Sequence, residues 1–249
     1  MALVDELIAE GVLRTPRIIA AFRAIHRSDF VPEELKDAAE TVNAPLPIGA
    51  GQTISQPWTV AFMLELLDPE PGHKILDIGA GSGWQTALLA HIVDAPFHAT
   101  PRKPDPGPTI PRGRASRRAG APSGREEKKG KVYAMERVPE LCEFGEGNVA
   151  KYDFVARDVV TWICGDASEG LSLHAPYNRI VAAAAVREIP SAWREQCIVG
   201  GIIVAPIAGS IWRLRRIAEG RWGEEEYPGF SFVPFIRNPQ EARHSRESR

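Results

Sequence analysis

Lys74-Ile-Leu-Asp-Ile78 runs directly into Gly79-Ala-Gly81-Ser-Gly83, and Trp84-Gln-Thr-Ala-Leu-Leu-Ala-His-Ile-Val93 follows without a break. The first piece is short and apolar, as a strand buried on both faces must be. The second is a glycine-rich turn, and the third places Thr86, Leu88, Leu89 and Ile92 at helical spacing. A strand, a glycine turn and a helix in that order make the unit from which parallel α/β sheets are assembled. Glycines at such a junction also let a ligand approach backbone N–H groups closely.

The pattern continues outward in both directions. Upstream, a helix is expected from Pro57 through Val60, Ala61, Met63, Leu64 and Leu67, stopped by Pro69-Glu-Pro-Gly72. Before it, Thr15 can cap a helix that has Pro16 in its first position and Ile18, Ile19, Phe22 and Ile25 on one face. Downstream, strands are expected at 132–135, 159–164, 179–183 and 201–206, with helices near 138–150 and 190–197. The fold class is therefore α/β, a doubly wound, mostly parallel Rossmann-like sheet with an N-terminal helical cap. From Ile211 to Ile236 the alternation is cleaner and Gly220 and Gly223 interrupt it, so antiparallel edge strands are expected there. One domain spans 1–237, of which 1–56 is the cap and substrate-side loop, and a polar tail occupies 238–249.

Residues 94–130 break the rhythm. They are rich in proline, glycine and arginine and nearly devoid of large apolar side chains, which predicts a disordered insertion. Its basic excess admits a nucleic-acid patch, but no aromatic residues are interleaved for stacking, so a solvated loop is preferred. With 44% hydrophobic and 25% charged residues the 249-residue chain can bury a sizeable core, and a net charge of -2 provides no field for nucleic acid or anionic membrane. No apolar run approaches the roughly 20 residues of a membrane span. The opening Met1-Ala-Leu-Val-Asp-Glu6 carries acids where a secretory signal carries bases, so a cytoplasmic location is expected; a monomer is the expected state, although nothing in the sequence sets it. Cys142, Cys164 and Cys197 are far apart with no metal-ligand spacing, and they read as reduced, buried small side chains. The scattered histidines imply no metal either.

Candidate ligand residues fall at successive strand ends. Asp77, Gly79, Gly81, Ser82 and Gly83 have Gly-x-Gly-x-Gly spacing rather than the dinucleotide Gly-x-Gly-x-x-Gly, which shifts the reading from nicotinamide cofactors towards S-adenosylmethionine. Glu136 ends the next strand, where a carboxylate can accept ribose hydroxyls. It lies 55 positions after Gly81, and removing about 36 inserted residues restores the separation of about 20 seen in nucleotide folds. Asp166 and Ala167 follow the third strand, where Asp166 can accept from an adenine amino group or simply serve a turn. On the substrate side, Pro45-Leu-Pro-Ile-Gly49 and Gly51-Gln-Thr-Ile-Ser-Gln-Pro57 read by themselves as a loop leading into a helix.

GQTISQP at 51–57, LDIGAGSGWQTALLA at 76–90, VYAMERVPEL at 132–141, EIP at 188–190 and RTPRIIAAFRAIHRSDFVPEEL at 14–35 together resemble the protein-L-isoaspartate O-methyltransferase family. The resemblance covers nearly the whole chain outside the insertion and tail. It implies a class I methyltransferase fold, S-adenosylmethionine as cofactor, and isoaspartyl-containing proteins and peptides as partners. It also implies that Ser55 is the active-site serine, with Gln52, Thr53 and Ile54 on the substrate side of the same pocket. Asn178, Ala183 and Arg187 depart from residues common in the family and are expected beside the pocket. Another acceptor on the same fold is therefore the alternative reading, followed by a cofactor-binding protein that uses the basic insertion.

Overall fold

The structure, a computed structural model, describes residues 3–95 and 129–236. Most of the 94–130 segment and the 238–249 tail lie outside those residues. The chain begins with helices α1 (Leu3–Ala9), α2 (Pro16–Ala24) and α3 (Lys36–Thr41), then a hairpin of strands β1 (Leu46–Gly49) and β2 (Gln52–Ile54). Helix α4 (Pro57–Leu67) leads into β3 (Lys74–Ile78) and α5 (Trp84–Asp94). After the undescribed stretch come β4 (Lys131–Glu136), α6 (Pro139–Ala150), β5 (Val160–Cys164), β6 (Tyr177–Ala182) and α7 (Ser191–Gln196). Strands β7 (Cys197–Ile207), β8 (Ser210–Ala218) and β9 (Arg221–Pro228) finish the sheet.

Seven strands pair in the order β5-β4-β3-β6-β7-β8-β9. The β5-to-β7 pairings are all parallel, and β8 and β9 are added antiparallel. Strand β3 is central and shows why its sequence reads as continuously apolar. Ile75 faces one apolar layer with Val60, Leu64, Leu88 and Ile92 of α4 and α5. Leu76 and Ile78 face the opposite layer with Tyr177 and Trp193. Two-sided burial removes the polar alternate that a half-exposed strand would carry. The fold is the mostly parallel, doubly wound α/β sheet with antiparallel edge strands expected from the sequence.

Four expectations need correction. Residues 46–54 are not a loop but an antiparallel hairpin, with Leu46 opposite Ile54 and Pro47 opposite Thr53. Its turn runs through Gly49, Ala50 and Gly51, all at positive φ, where two of the three are the residue that tolerates such a backbone. Edge pairing ends at Pro228, and residues after it leave the sheet. Val233 O accepts from Ala185 N and Ala185 O accepts from Phe235 N, so this segment crosses to the end of β6 as a strap. Thr15 precedes α2 without capping it through its side chain. Its N–H and hydroxyl instead donate to the Glu65 carboxylate at 2.8 and 2.7 Å, which ties the cap to α4.

Cysteine pairing is the fourth. Cys142 of α6 and Cys164 of β5 form a disulfide, and only Cys197 is free and buried. Sequence spacing hides the pair because β4, α6 and β5 form a crossover that folds residues 22 apart onto each other.

Candidate active site

The carboxyl ends of β3, β4, β5 and β6 open onto one cleft, bounded on the far side by the hairpin and the strap. Ligands of open α/β sheets bind at this edge. Gly79 and Gly81 form its floor with φ of +73° and +54°, a backbone available to glycine at no steric cost. Glu136 is buried and holds the turn in shape. One oxygen accepts from Gly81 N at 2.9 Å, and the other accepts from Arg137 N and Val138 N at 2.8 and 2.9 Å. Across the cleft, a Cβ placed on Gly165 would meet nothing within 4 Å, so there is room against the backbone for a flat ligand. Val138 and Leu141 supply apolar wall between Glu136 and that space. An acid, an apolar wall and glycine-lined backbone suit the ribose and adenine of S-adenosylmethionine.

Of the sequence-predicted residues, Gln52, Thr53, Ile54, Ser55, Gly79, Gly81, Ser82, Glu136 and Ala167 all border this cleft. Three do not. Asp77 is fully buried behind the turn, where its carboxylate accepts from Gln85 Nε2 at 2.8 Å and Thr86 Oγ1 at 2.6 Å. It fastens the strand to the first turn of α5. Burial raises its pKa to about 6, against the two hydrogen bonds that favour the ionised form. Gly83 supports the turn from outside: its φ is +86°, and a Cβ there would come within 2.6 Å of Val149 and 2.8 Å of Gly145 O. Asp166 accepts from Ser168 N at 2.7 Å, a turn role, while its neighbours Gly165 and Ala167 reach the cleft wall.

The departures from family residues sort in the same way. Ala183 lies in the cleft wall. Asn178 sits at the opposite end of β6, where its Oδ1 accepts from Lys74 N at 2.8 Å, and Arg187 is exposed away from the wall. Of the three, only Ala183 therefore lines the cleft.

Several cleft residues carry no recognisable sequence signal. The strap residues Val233 and Pro234 arrive from the far end of the chain. Gly145 is equally hidden: a Cβ on it would stand 2.4 Å from Gly81 O, so α6 packs directly on the cofactor-side turn. Asn148 of the same helix donates to Ser82 O at 3.1 Å.

A family model described as Protein-L-isoaspartate(D-aspartate) O-methyltransferase (PCMT) matches residues 1–100 and 125–240. The chain belongs to this family. The interval without a match falls inside the proline- and arginine-rich segment. Proteins named Protein-L-isoaspartate O-methyltransferase from Methanopyrus kandleri and Aeropyrum pernix are 36% and 39% identical to it. The first alignment covers 94% of this chain and 89% of the relative, the second 95% and 78%. Among solved structures, a Plasmodium falciparum beta-aspartate methyltransferase in complex with S-adenosyl-L-homocysteine superposes with a TM-score of 0.73 at 18% identity. It covers 95% of this chain and 97% of its own, and at that identity it supports the fold alone. Members of the family are S-adenosylmethionine-dependent carboxyl methyltransferases. Among the described residues, no helix is long and apolar enough to cross a membrane.

Proposed function

We propose that the cleft transfers a methyl group from S-adenosylmethionine to the free carboxylate of isoaspartyl residues in exposed protein segments, with Ser55 orienting that carboxylate. The observation that carries this reading is convergence: the GQTISQP hairpin and the glycine turn with Glu136, more than 20 residues apart in sequence, border one cleft from opposite sides.

When bound, S-adenosylmethionine supplies an electrophilic methyl on a sulfonium sulfur. The protein's task is positioning. A carboxyl of pKa about 4 is ionised at neutral pH, so the acceptor needs no strong base. Ser55 is half-buried at the cleft edge, and its carbonyl is engaged by Arg27 while its hydroxyl forms no hydrogen bond among the described residues. That hydroxyl has one proton to offer a carboxylate oxygen, leaving the other oxygen to react. Ile48, Ile54, Val233 and Pro234 enclose the same space with apolar groups, so an incoming carboxylate exchanges water for fixed dipoles. Glu136, Gly79, Gly81, Ser82 and Ala167 hold the adenosine end. Asp77, Gly83 and Asp166 act through them by fixing the turns.

The deciding experiment compares two synthetic peptides that differ only in an isoaspartyl or an aspartyl linkage. Methyl transfer to the first with little or none to the second is expected. Equal rates on both would show that the acceptor is something else.

A further inference from the structure

The hairpin that carries Ser55 forms a separate two-stranded sheet, so something other than β-pairing must set its place over the cofactor turn. The residue at both of its ends is Arg27, which opens the short 3-10 turn Arg27–Phe30 and is 3% exposed. Its Nη2 donates to Ala44 O at 2.8 Å and to Ser55 O at 3.2 Å. Ala44 stands two residues before β1 and Ser55 immediately after β2. Its Nη1 donates to Val42 O at 3.1 Å, which anchors the same group on the end of α3. The guanidinium carbon lies 5.5 Å from the ring centre of Trp84, the first residue of α5 and a part of the cleft wall.

One side chain thus touches the cap, both feet of the acceptor hairpin and the helix behind the cofactor turn. No carboxylate forms an ion pair with Arg27 among the described residues, and its charge is met by carbonyl dipoles and an aromatic face. Burial lowers its pKa to about 10, with Glu40 opposing, so it remains charged at neutral pH. Burying a charge is costly, and that cost is offset only by several well-placed acceptors. Those acceptors include the two hairpin ends, so the hairpin cannot shift without stranding the charge. A planar fork can hold carbonyls in two directions at once, which a lysine ammonium on a flexible stem does poorly.

We infer that Arg27 is the positioning residue of the acceptor side: through the Ser55 carbonyl it fixes where the Ser55 hydroxyl stands relative to the cofactor turn. This rests on the reading of Ser55 as the group that orients the acceptor, and it adds a residue that never touches substrate.

The test uses the full chain as R27K, S55A and the R27K/S55A double variant, assayed well below each melting midpoint. Methyl transfer to an isoaspartyl peptide is measured alongside calorimetric binding of S-adenosylhomocysteine. R27K is expected to lower kcat/KM for the peptide by about 10- to 100-fold while S-adenosylhomocysteine affinity stays within about threefold. In the S55A background the same change should cost less than about threefold, because the group that Arg27 places is already gone. Independent, multiplying losses in the double variant would overturn the inference, as would a parallel loss of S-adenosylhomocysteine affinity. R27K at wild-type rate beside a slow S55A would also overturn it while leaving the Ser55 reading intact. S55A at full rate would remove the Ser55 reading and this inference with it. If R27K does not yield folded protein, R27Q, whose amide N–H can still hold one carbonyl, is read against the same criteria.

Discussion

The cofactor-side wall of the cleft hangs from the ends of parallel strands, whereas the acceptor-side wall is a hairpin and a strap joined to that sheet at isolated points. On the first side, Gly79 N and Ala80 N donate to Met135 O at 2.9 and 3.1 Å, and Gly81 N donates to Glu136. The turn is an extension of the ladder, and its position follows from strand register. On the second, Arg27 holds the hairpin feet and Ala185 holds the strap through two backbone bonds. On the proposed reading, a cofactor common to many methyltransferases is met by the rigid scaffold. On the same reading the acceptor, which varies among methyltransferases, is met by attachments that can change without disturbing the sheet.

If this division is right, variants on the two sides fail in different measurements. The largest effect is expected from S55A, which should lower the rate of methyl transfer by about ten- to a thousandfold with cofactor affinity and melting temperature nearly unchanged. A structural role for Ser55 would reverse that pattern, with lost stability and a preserved rate per folded molecule. On the other wall, E136A should weaken S-adenosylhomocysteine binding by about 1 to 3 kcal/mol in calorimetry, since ribose hydroxyls lose a charged acceptor. G145A sharpens the same contrast. Helix propensity alone favours alanine over glycine by about 1 kcal/mol, yet the added Cβ would stand 2.4 Å from Gly81 O. The clash dominates, because backbone cannot yield as a flexible side chain does, so cofactor affinity should fall about tenfold or more. Unchanged affinity in G145A would mean that α6 does not brace the turn.

A smaller effect concerns Asp77. Its folded pKa of about 6 lies above the ordinary aspartate value of 3.8, so the folded state binds more protons across that interval. The stability that Asp77 contributes should therefore decrease as pH rises from about 4 to 6. Denaturation of wild type and D77N at several pH values isolates this term: their stability difference should shift by about 1 to 3 kcal/mol across the window, in that direction. A difference independent of pH would place the Asp77 carboxyl in a more polar setting than its neighbours imply.

The smallest effect is expected from removing residues 95–129. Val93 O accepts from Gly72 N at 2.9 Å, and a Cβ on Gly130 would lie 2.3 Å from the same oxygen, so the two ends of the segment already meet. Joining Asp94 to Gly130 through a short linker should leave melting temperature and methyl transfer nearly unaltered. A collapse in soluble yield would show that the segment packs on the domain.

The strands and helices of the sheet were legible because a two-sided sheet demands unbroken apolar runs. Lys74–Ile78 and Pro57–Leu67 are bounded where their patterns end. The place of Glu136 at a strand end bordering the cleft was also legible, once the compositional break at 94–130 was set aside. What pattern could not separate was lining the cleft from supporting it. Asp77 and Gly83 stand within the same short motif as Gly79 and Gly81, yet the Asp77 side chain lies against α5, where Gln85 and Thr86 engage it, and the turn then sends Gly83 against α6.

The sequence by itself determined the order of elements, the sheet that they form and the turn on which a cofactor can rest, since each depends on residues near one another in the chain. Tertiary structure alone decided the rest of the site. Arg27 reaches Ser55 across 28 positions, Ala185 captures Val233 and Phe235, and Cys142 meets Cys164. These contacts depend on how distant segments close in space, and no local periodicity encodes that distance.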